Sequence, residues 1–462
     1  MAGLDVRSLL LVGSLLCPPL LRGQDTRTVV EPRIPAVCAT VRARLAAPYG
    51  ALAEADEGKL DTARIQDAIN KCAPGKAVEL RLEGQYNAFL SAPLRLKPGI
   101  TLLVDAGATL FGSRNPKDYE RSPGSCGVVN GYGAGCKPLI DAAKAPNSAI
   151  MGAGVIDGRG GAKLLGRNVT WWDLAEQARE KGKQNCPRIL VVERSNNFVL
   201  YGITLRNSPN FHVMVQKTNG FTAWGIKIDS PGNARNTDGI DPSGSANITI
   251  THSYIRAGDD HVAIKAGGGP STNMTIAHNH FYSGHGMSIG SETNSGASAI
   301  RVSDLTIDGA DNGLRIKSDA NHGGLVHDVS YEDVCIRATR EPIVMDPFYS
   351  RNATGGSIPV FQDIRLRNVR IQGKGNITLE GYDAQHPLKI AFDGVIAEDI
   401  KPAKVTASHA EITSGPGKVT FAPKGDDVQI RQAAGKGEEV ANCSGSFVAY
   451  PQGPAIPKLQ TQ

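Results

Sequence analysis

Apolar and polar residues alternate along most of this chain in runs of strand length. Residues 248–250 are an example, and similar runs recur from about residue 100 to about residue 372. Each run ends in Gly, Asn, Asp or Ser, which favour turns. The pattern therefore predicts many short β-strands joined by tight turns.

The strand segments also recur at a nearly constant interval. Their first residues are separated by 22, 28, 26 and 27 positions in the series Asn197, Asn219, Asn247, Asn273 and Ile300. A fixed period in this range indicates a solenoid, and a unit of this size holds about three short strands. We predict an all-β fold, a single right-handed parallel β-helix over residues 24–462. A β-sandwich or propeller is the alternative, but the chain lacks a WD or kelch signature and strong hairpin dipeptides.

One early segment has helical periodicity instead. In residues 61–72 four apolar residues fall on one face, and Asp61 occupies a favoured N-cap position. A solenoid needs a cover over its open apolar end. Because this helix precedes the strands, we predict an N-terminal cap over about residues 24–75. The tail after about residue 410 has no assigned role.

Composition agrees with this picture and narrows the partners. Glycine makes up 53 of 462 residues, and aromatic residues only 5%, which favours tight turns over a core of large rings. Lys+Arg 50 against Asp+Glu 45 leaves a net charge of +5 without a basic run. We therefore predict no nucleic-acid partner. No segment after the N-terminus is apolar enough for a membrane span, so we predict no membrane partner either. We also predict a monomer.

The first residues have the pattern of an export signal. Residues 8–21 are almost all apolar, follow Arg7, and are too short to span a bilayer. We predict a signal peptide over residues 1–23 and a secreted protein.

Seven cysteines follow the signal, at positions 38, 72, 126, 136, 186, 335 and 443. None belongs to a CxxC pair, which argues against a zinc or redox site. Export makes disulfides reasonable, with Cys126–Cys136 closing a glycine-rich loop and Cys38–Cys72 tying the N-terminal region. The odd number leaves at least one free thiol.

Four polar clusters recur at almost the period of the strands. They are Asn236-Thr237-Asp238, Gly258-Asp259-Asp260, Gly284-His285-Gly286 and Arg315-Ile316-Lys317. Stacked strands lie about 4.8 Å apart, so residues one period apart share a face. The fold therefore predicts three carboxylates, a histidine and two cations in one cleft.

Such a group suits hydrolysis of an acidic sugar polymer. Carboxylates in close quarters raise at least one pKa, so that one can protonate a leaving oxygen while its neighbours activate water. Arg315 and Lys317, two positions apart on a strand, point to the same side and suit a substrate carboxylate. Asp259 and Asp260 both reach the cleft only if the chain turns there, which Gly258 favours. The sequence lacks a calcium-binding loop, so we predict no metal and no cofactor.

In this order the clusters resemble the signature of the polygalacturonases of glycoside hydrolase family 28. The matching segments are NTDGID (236–241), GDDHVAIK (258–265), GHGMSIGS (284–291) and RIK (315–317). The resemblance covers roughly residues 35–410. It implies a right-handed parallel β-helix and metal-free hydrolysis of α-1,4-galacturonan in pectin with inversion.

The resemblance also implies a role for each residue. Asp259 would be the general acid, and Asp238 with Asp260 would hold and deprotonate the attacking water. His285 would assist beside the acid, and the residues implied to bind substrate are Arg315, Lys317, Asn236 and Tyr349. We expect endo action, because no large insertion would block the groove.

Three alternatives stay open. A pectate lyase shares the solenoid but uses Ca²⁺ and an arginine base, and would lack these clusters. A rhamnogalacturonan hydrolase is closer, although Gly284-His285-Gly286 argues against it. A β-helical adhesin or tailspike would explain the repeat without explaining the acids.

Overall fold

Short parallel strands stack rung upon rung along almost the whole chain. The structure, a computed structural model, describes residues 24–456 and 458–461, and the predicted signal peptide lies outside them. Strands are numbered here in chain order. A 21-stranded sheet, which winds over two sides of the stack, contains β1 (Val37–Arg42), β2 (Lys76–Arg81), β3 (Ala88–Ser91), β5 (Ile100–Val104), β6 (Thr109–Gly112), β9 (Ala149–Met151), β10 (Val155–Asp157), β13 (Phe198–Tyr201), β14 (Thr204–Arg206), β16 (Asn219–Trp224), β17 (Lys227–Asp229), β19 (Ala246–Thr251), β20 (Tyr254–Arg256), β22 (Ser271–Tyr282), β24 (Ala297–Asp308), β26 (Leu325–Arg337), β28 (Val360–Phe361), β29 (Ile364–Gln372), β31 (Leu388–Ala397), β33 (Ala410–Ser414) and β34 (Val428–Gln432).

An 11-stranded sheet forms the remaining side. Its strands are β4 (Leu94–Arg95), β8 (Ile140–Ala143), β12 (Leu190–Glu193), β15 (Val213–Gln216), β18 (Ile240–Ser243), β21 (Val262–Ile264), β23 (Met287–Ile289), β25 (Asn312–Lys317), β27 (Glu341–Asp346), β30 (Ile377–Glu380) and β32 (Val405–Ser408). A small antiparallel pair, β7 (Val128–Asn130) and β11 (Lys183–Asn185), lies outside both sheets. The predicted parallel β-helix is confirmed.

The repeat read from the sequence is the rung period. Phe198 pairs with Phe221, Phe221 with Ile248, Ile248 with Met274 and Met274 with Ile300. All five side chains are fully buried. One apolar ladder therefore runs through the interior, and burial of its carbon surface stabilises each rung on the next.

The predicted helix is present as α1 (Thr62–Lys71), with Asp61 at its N-cap and Ile65 and Ile69 buried. The Asp61 carboxylate does not cap its own helix. It accepts hydrogen bonds from Arg64 Nε at 2.6 Å and from the Leu90 amide at 3.2 Å, which ties the helix to the first rungs.

The sequence pattern indicated only this one helix, but the structure contains a second. A second helix, α2 (Trp171–Lys181), begins with a capping box. The Asp173 amide donates to the Thr170 hydroxyl, and the Thr170 amide donates to the Asp173 carboxylate. Its buried face carries Trp171, Leu174, Ala175 and Ala178. The helix is an insertion between strands. None of the described helices is long and apolar enough to cross a membrane.

Both ends of the described chain lie along the outside of the solenoid. The Asp25 amide donates to Thr275 Oγ1 at 3.0 Å, so the predicted cap of residues 24–75 differs from the structure over its first residues. The tail finishes the sheet with β33 and β34 and then runs back outside. There Tyr450 Oη donates to the Ile228 carbonyl at 3.0 Å, and Thr461 bridges to Ile34.

Three disulfides tie these segments. Cys38–Cys72 and Cys126–Cys136 confirm the sequence expectation, and Cys335–Cys443 adds a bond from β26 to the tail. Within the described residues Cys186 is free and buried, which accounts for the odd number.

Candidate active site

The predicted site residues lie on consecutive rungs of one side. We call the turns that immediately precede strands of the 11-stranded sheet the leading turns. Asp238 precedes β18, Asp259 and Asp260 precede β21, and His285 precedes β23. Backbone bonds join these turns, from the Gly239 amide to the Asp260 carbonyl at 2.8 Å and from the His285 amide to the Asp259 carbonyl at 2.9 Å.

Glycines allow the leading turns to stack this closely. A Cβ on Gly258 would lie 2.2 Å from the Ala234 carbonyl oxygen. Gly284 has φ +64°, and a Cβ there would lie 2.6 Å from the Asp259 carbonyl oxygen. The chain bends at Gly258 as expected, and only glycine fits both positions without a shift of backbone.

Asp260 is held by two cations. It is buried and accepts hydrogen bonds from Arg315, from Lys317 Nζ at 2.8 Å and from Ser288 Oγ at 2.8 Å. Burial by itself raises the pKa of this carboxyl, but the positive charges of Arg315 and Lys317 outweigh it and lower the pKa well below its usual range. Asp260 is therefore an anion, and the cations expected to bind substrate face it in this structure.

Asp259 pairs with His285. The Nδ1 of His285 lies 2.9 Å from Asp259 Oδ1. Burial raises the pKa of Asp259, but the hydrogen bond from His285 opposes it, and the net shift is downward. On its other side His285 Nε2 lies 3.7 Å from Asp311 Oδ2, so the imidazole stands between two carboxylates.

The raised pKa values fall on Asp238 and Asp241. Burial, followed by the charge of Asp241, raises the pKa of Asp238 well above its usual range. Burial also raises the pKa of Asp241 to about 7, although Lys265 opposes it with Nζ 3.7 Å from Asp241 Oδ2. Asp238 Oδ1 and both Asp241 oxygens have no hydrogen-bond partner among the described residues. Asp238 and Asp241 therefore keep their protons to higher pH than Asp260 does.

The two remaining predicted residues flank this group. Asn236 is half-buried with φ +56°, two residues before Asp238. Tyr349 is half-exposed, and its ring centroid lies 4.9 Å from Lys317 Nζ. Tyr349 therefore lies beside Lys317, and Asn236 is near the group through its place in the chain.

Sequence reasoning assigned no role to four further residues in contact with this group, namely Asp241, Lys265, Ser288 and Asp311. The first three lie inside the segments NTDGID, GDDHVAIK and GHGMSIGS. Their place in these segments could have indicated that they belong to the site. Asp311 belongs to none of these segments. Its turn stacks on Gly284 through a hydrogen bond of 2.7 Å from the Asp311 amide to the Gly284 carbonyl, which brings Asp311 next to His285.

One group of side chains has the spacing of a metal site. Ligand atoms of Asp259, Asp260 and His285 lie within 4.8 Å of one another. Each already has a protein partner, and Arg315 and Lys317 supply the positive charge that a metal would bring to Asp260. The arrangement therefore favours use without a metal, which stays a prediction.

Comparison with known proteins agrees with the fold and the clusters. Residues 106–420, more than half of the chain, match the family described as Glycosyl hydrolases family 28. The chain belongs to glycoside hydrolase family 28. Membership identifies this family 28 chain as a glycoside hydrolase.

Relatives of this family 28 chain extend over most of its length. It is 45% identical over 374 residues to an endo-polygalacturonase of Pectobacterium carotovorum subsp. carotovorum, covering 80% of this chain and 89% of the relative. A polygalacturonase of Ralstonia solanacearum is 41% identical over 447 residues, 85% of this chain and 84% of the relative. The solved polygalacturonase of Erwinia carotovora ssp. carotovora superposes with a TM-score of 0.74 at 40% identity, covering 90% of this chain and 100% of that one.

Proposed function

We propose that this protein is an endo-acting polygalacturonase that hydrolyses the α-1,4-galacturonosyl linkages of polygalacturonate and pectin with inversion. The observation that carries the proposal is the grouping of acids and His285 on stacked leading turns with two cations on the adjacent strand β25. The acids are Asp238, Asp259 and Asp260, and the cations are Arg315 and Lys317. The names of the bacterial relatives support the substrate and the endo action.

The cations support an acidic sugar as the substrate. Arg315 and Lys317 are buried beside Asp260 and carry two positive charges against its single negative one. A galacturonate carboxylate that reaches them satisfies the remaining charge, with Tyr349 beside Lys317 and Asn236 as a further residue that binds the sugar. A methyl ester carries no charge, so the free acid is the preferred form.

The carboxylates divide the chemistry of an inverting hydrolase. Asp259 protonates the leaving glycosidic oxygen, while Asp260 and Asp238 hold a water, and the anionic Asp260 accepts its proton as its oxygen attacks the anomeric carbon. One C–O bond breaks, one forms, and the product gains a new reducing end. His285 holds Asp259 in place and keeps a proton within one hydrogen bond of it.

The ionised state of Asp259 in the free site is compatible with its role as an acid. A bound galacturonate brings negative charge to the cleft, and negative charge nearby raises carboxyl pKa values. Substrate binding thus favours protonation of Asp259 when the leaving oxygen is in place.

The protein acts outside the cell, as a monomer and without a metal. The three disulfides and the export signal over residues 1–23 support secretion. Nucleic acid and membranes are not expected partners.

The test is incubation of the purified protein with polygalacturonate in the presence of EDTA, with reducing ends and ultraviolet absorbance followed together. We expect reducing ends to increase without new absorbance, and viscosity to fall early, as internal cleavage requires. Asp259→Asn should abolish the reaction, whereas Asp304→Asn, at a largely exposed carboxylate on β24, should retain it.

Other outcomes would contradict the proposal. New absorbance that EDTA suppresses would indicate a lyase. Loss of activity in EDTA without absorbance would indicate a metal-dependent hydrolase. Inactivity on polygalacturonate with cleavage of rhamnogalacturonan would indicate the neighbouring specificity, and binding without cleavage would indicate a glycan-binding solenoid.

A further inference from the structure

The row of leading turns continues past the catalytic group, and there its side chains are mostly positively charged. Arg340 immediately precedes β27, Lys374 lies shortly before β30, and Lys401 and Lys404 lie before β32. A cavity of about 380 Å³ opens among them, and we call it the basic cavity. Its polar lining consists of Arg340, Lys374, Asn376, Asp399, Lys401 and Lys404.

Backbone bonds join the basic cavity to the active site. The Asp311 amide donates to the Gly284 carbonyl at 2.7 Å, the Arg340 amide to Ala310 at 3.3 Å, and the Asn376 amide to Arg340 at 2.9 Å. Each leading turn thus stacks on the one before it. The basic cavity lies on the same line as His285, displaced only along the axis of the solenoid.

Strand register gives the displacement. Arg315 pairs with Val344, Val344 with Thr378 and Thr378 with Thr406. Three rungs at about 4.8 Å each separate β25 from β32 by about 14 Å along the axis. A linear sugar polymer lying along the row of turns would span this distance with a few residues, so one chain reaches both places.

The charge of the basic cavity suits a polyanion. Four cationic side chains line it against the single carboxylate of Asp399. Arg340, Lys374, Lys401 and Lys404 are all exposed, so binding an anion here requires little desolvation. Next to Arg340 the carboxylate of Asp311 lies 4.0 Å from its guanidinium, which marks the border with the catalytic group.

We propose that the basic cavity is a distal binding site for carboxylates of the same galacturonan chain whose linkage lies at Asp259. This inference rests on the proposed function and deepens it. A long substrate is then held at two charged places, at Arg315 and Lys317 and again at the basic cavity. A galacturonate dimer at the catalytic group does not reach the second place, so affinity depends on chain length and on free carboxylates.

The experiment compares initial rates of the wild-type protein with those of Lys374→Ala/Lys401→Ala/Lys404→Ala. At low ionic strength we expect the triple variant to raise KM for polygalacturonate about five- to tenfold with kcat unchanged. The Kd of digalacturonate, which is too short to reach the basic cavity from the catalytic group, should stay within experimental error when measured by calorimetry. In high salt the difference on the polymer should disappear, because exposed charges are screened.

A matched triple variant controls for the loss of three charges. Lys71→Ala/Lys76→Ala/Lys436→Ala removes exposed lysines outside the basic cavity. It should leave the KM for polygalacturonate and the Kd of digalacturonate unchanged. Lys374→Arg/Lys401→Arg/Lys404→Arg keeps the charge and should bind the polymer like the wild type, which excludes an effect of folding alone.

The outcomes separate this inference from the proposed function. A wild-type protein that hydrolyses polygalacturonate, with equal polymer KM in the two alanine triples, would overturn the distal site and leave the function standing. An equal rise of the Kd of digalacturonate would also overturn it, since the lysines would then act at the catalytic group. A wild-type protein inactive on polygalacturonate would overturn both.

Discussion

The imidazole Nδ1 of His285 and the Oδ1 of Asp259 lie 2.9 Å apart, across two leading turns that are themselves joined by a backbone hydrogen bond. The pair belongs to different rungs, 26 residues apart in the chain. Its hydrogen bond lowers the pKa of Asp259 against the opposing effect of burial. His285 therefore controls the proton on the residue that we propose as the general acid.

Removal of the imidazole tests this control. In His285→Ala the pKa of Asp259 should rise, so the basic limb of the pH profile of kcat/KM should move to higher pH. Loss of the group that holds the acid should also lower kcat by about 100-fold or more. His278→Ala, at a largely exposed histidine paired with Asp304, is the control. An unmoved basic limb would contradict the coupling.

Substrate binding should take up protons. Digalacturonate brings carboxylates to Arg315 and Lys317, and negative charge raises the pKa values of the neighbouring acids. Calorimetric titration at about pH 5 in two buffers of different ionisation enthalpy measures the uptake. We expect positive uptake that decreases in Asp259→Asn. Binding without uptake would mean that Asp259 does not gain its proton in this way.

Lys317 should affect both binding and protonation. In Lys317→Ala a galacturonate carboxylate loses one cation, so KM should rise about tenfold, more than kcat falls. Because Lys317 also lowers the pKa of Asp260, the acidic limb of kcat/KM should move to higher pH. Lys317→Arg should restore most of the wild-type KM and pH profile. Lys389→Ala, at a half-exposed lysine on β31, should change neither of them. An unchanged KM would count against the assignment.

Asp238 is needed for activity but should lower the free energy of unfolding of the protein as pH rises. Its pKa is raised by burial and by Asp241, so the folded protein binds more protons here than the unfolded chain, and stability falls as pH rises above about 4. Asp238→Asn removes this dependence. The variant should gain free energy of unfolding relative to the wild type as pH rises from 4, while its activity is lost.

Urea unfolding at pH 4 and pH 7 measures this gain. The matched control is Asp25→Asn, at a buried carboxylate that accepts hydrogen bonds from Thr249 and Arg27. That variant should lose stability at pH 7, since its bonded anion is replaced. A gain for Asp238→Asn that does not depend on pH would contradict the raised pKa.

The structural features that follow from the 22- to 28-residue repeat could be predicted from the sequence. The rung ladder of Phe221, Ile248 and Met274, the stacking of Asp259 on the turn of His285, and the shared side of Arg315 and Lys317 all follow from a period and the spacing of stacked strands. The start of α2 could also have been predicted, because Trp171 and Leu174 have helical spacing after the capping residue Thr170, although a glycine-rich segment precedes them.

Other features depend on distances that no local pattern contains. Asp25 and Thr249 are bonded across 224 residues, and the tail contacts strands far earlier in the chain. The distribution of protons is of the same kind. Which carboxylate keeps its proton depends on burial and on the position of Arg315 and Lys317 around Asp260, and these follow from the folded arrangement alone.

The disulfide from β26 to the tail should stabilise the protein more than the small-loop disulfide. Cys335–Cys443 closes a separation of 108 residues, and Cys126–Cys136 a separation of 10. Chain entropy in the unfolded state makes the longer loop worth about 2 kcal/mol more. Removing each bond by paired Cys→Ser substitutions should reproduce this difference in urea unfolding, with kcat unchanged in Cys335→Ser/Cys443→Ser. Equal losses would mean that the tail contributes through packing, as at Tyr450 and Ile228, and not through the closed loop.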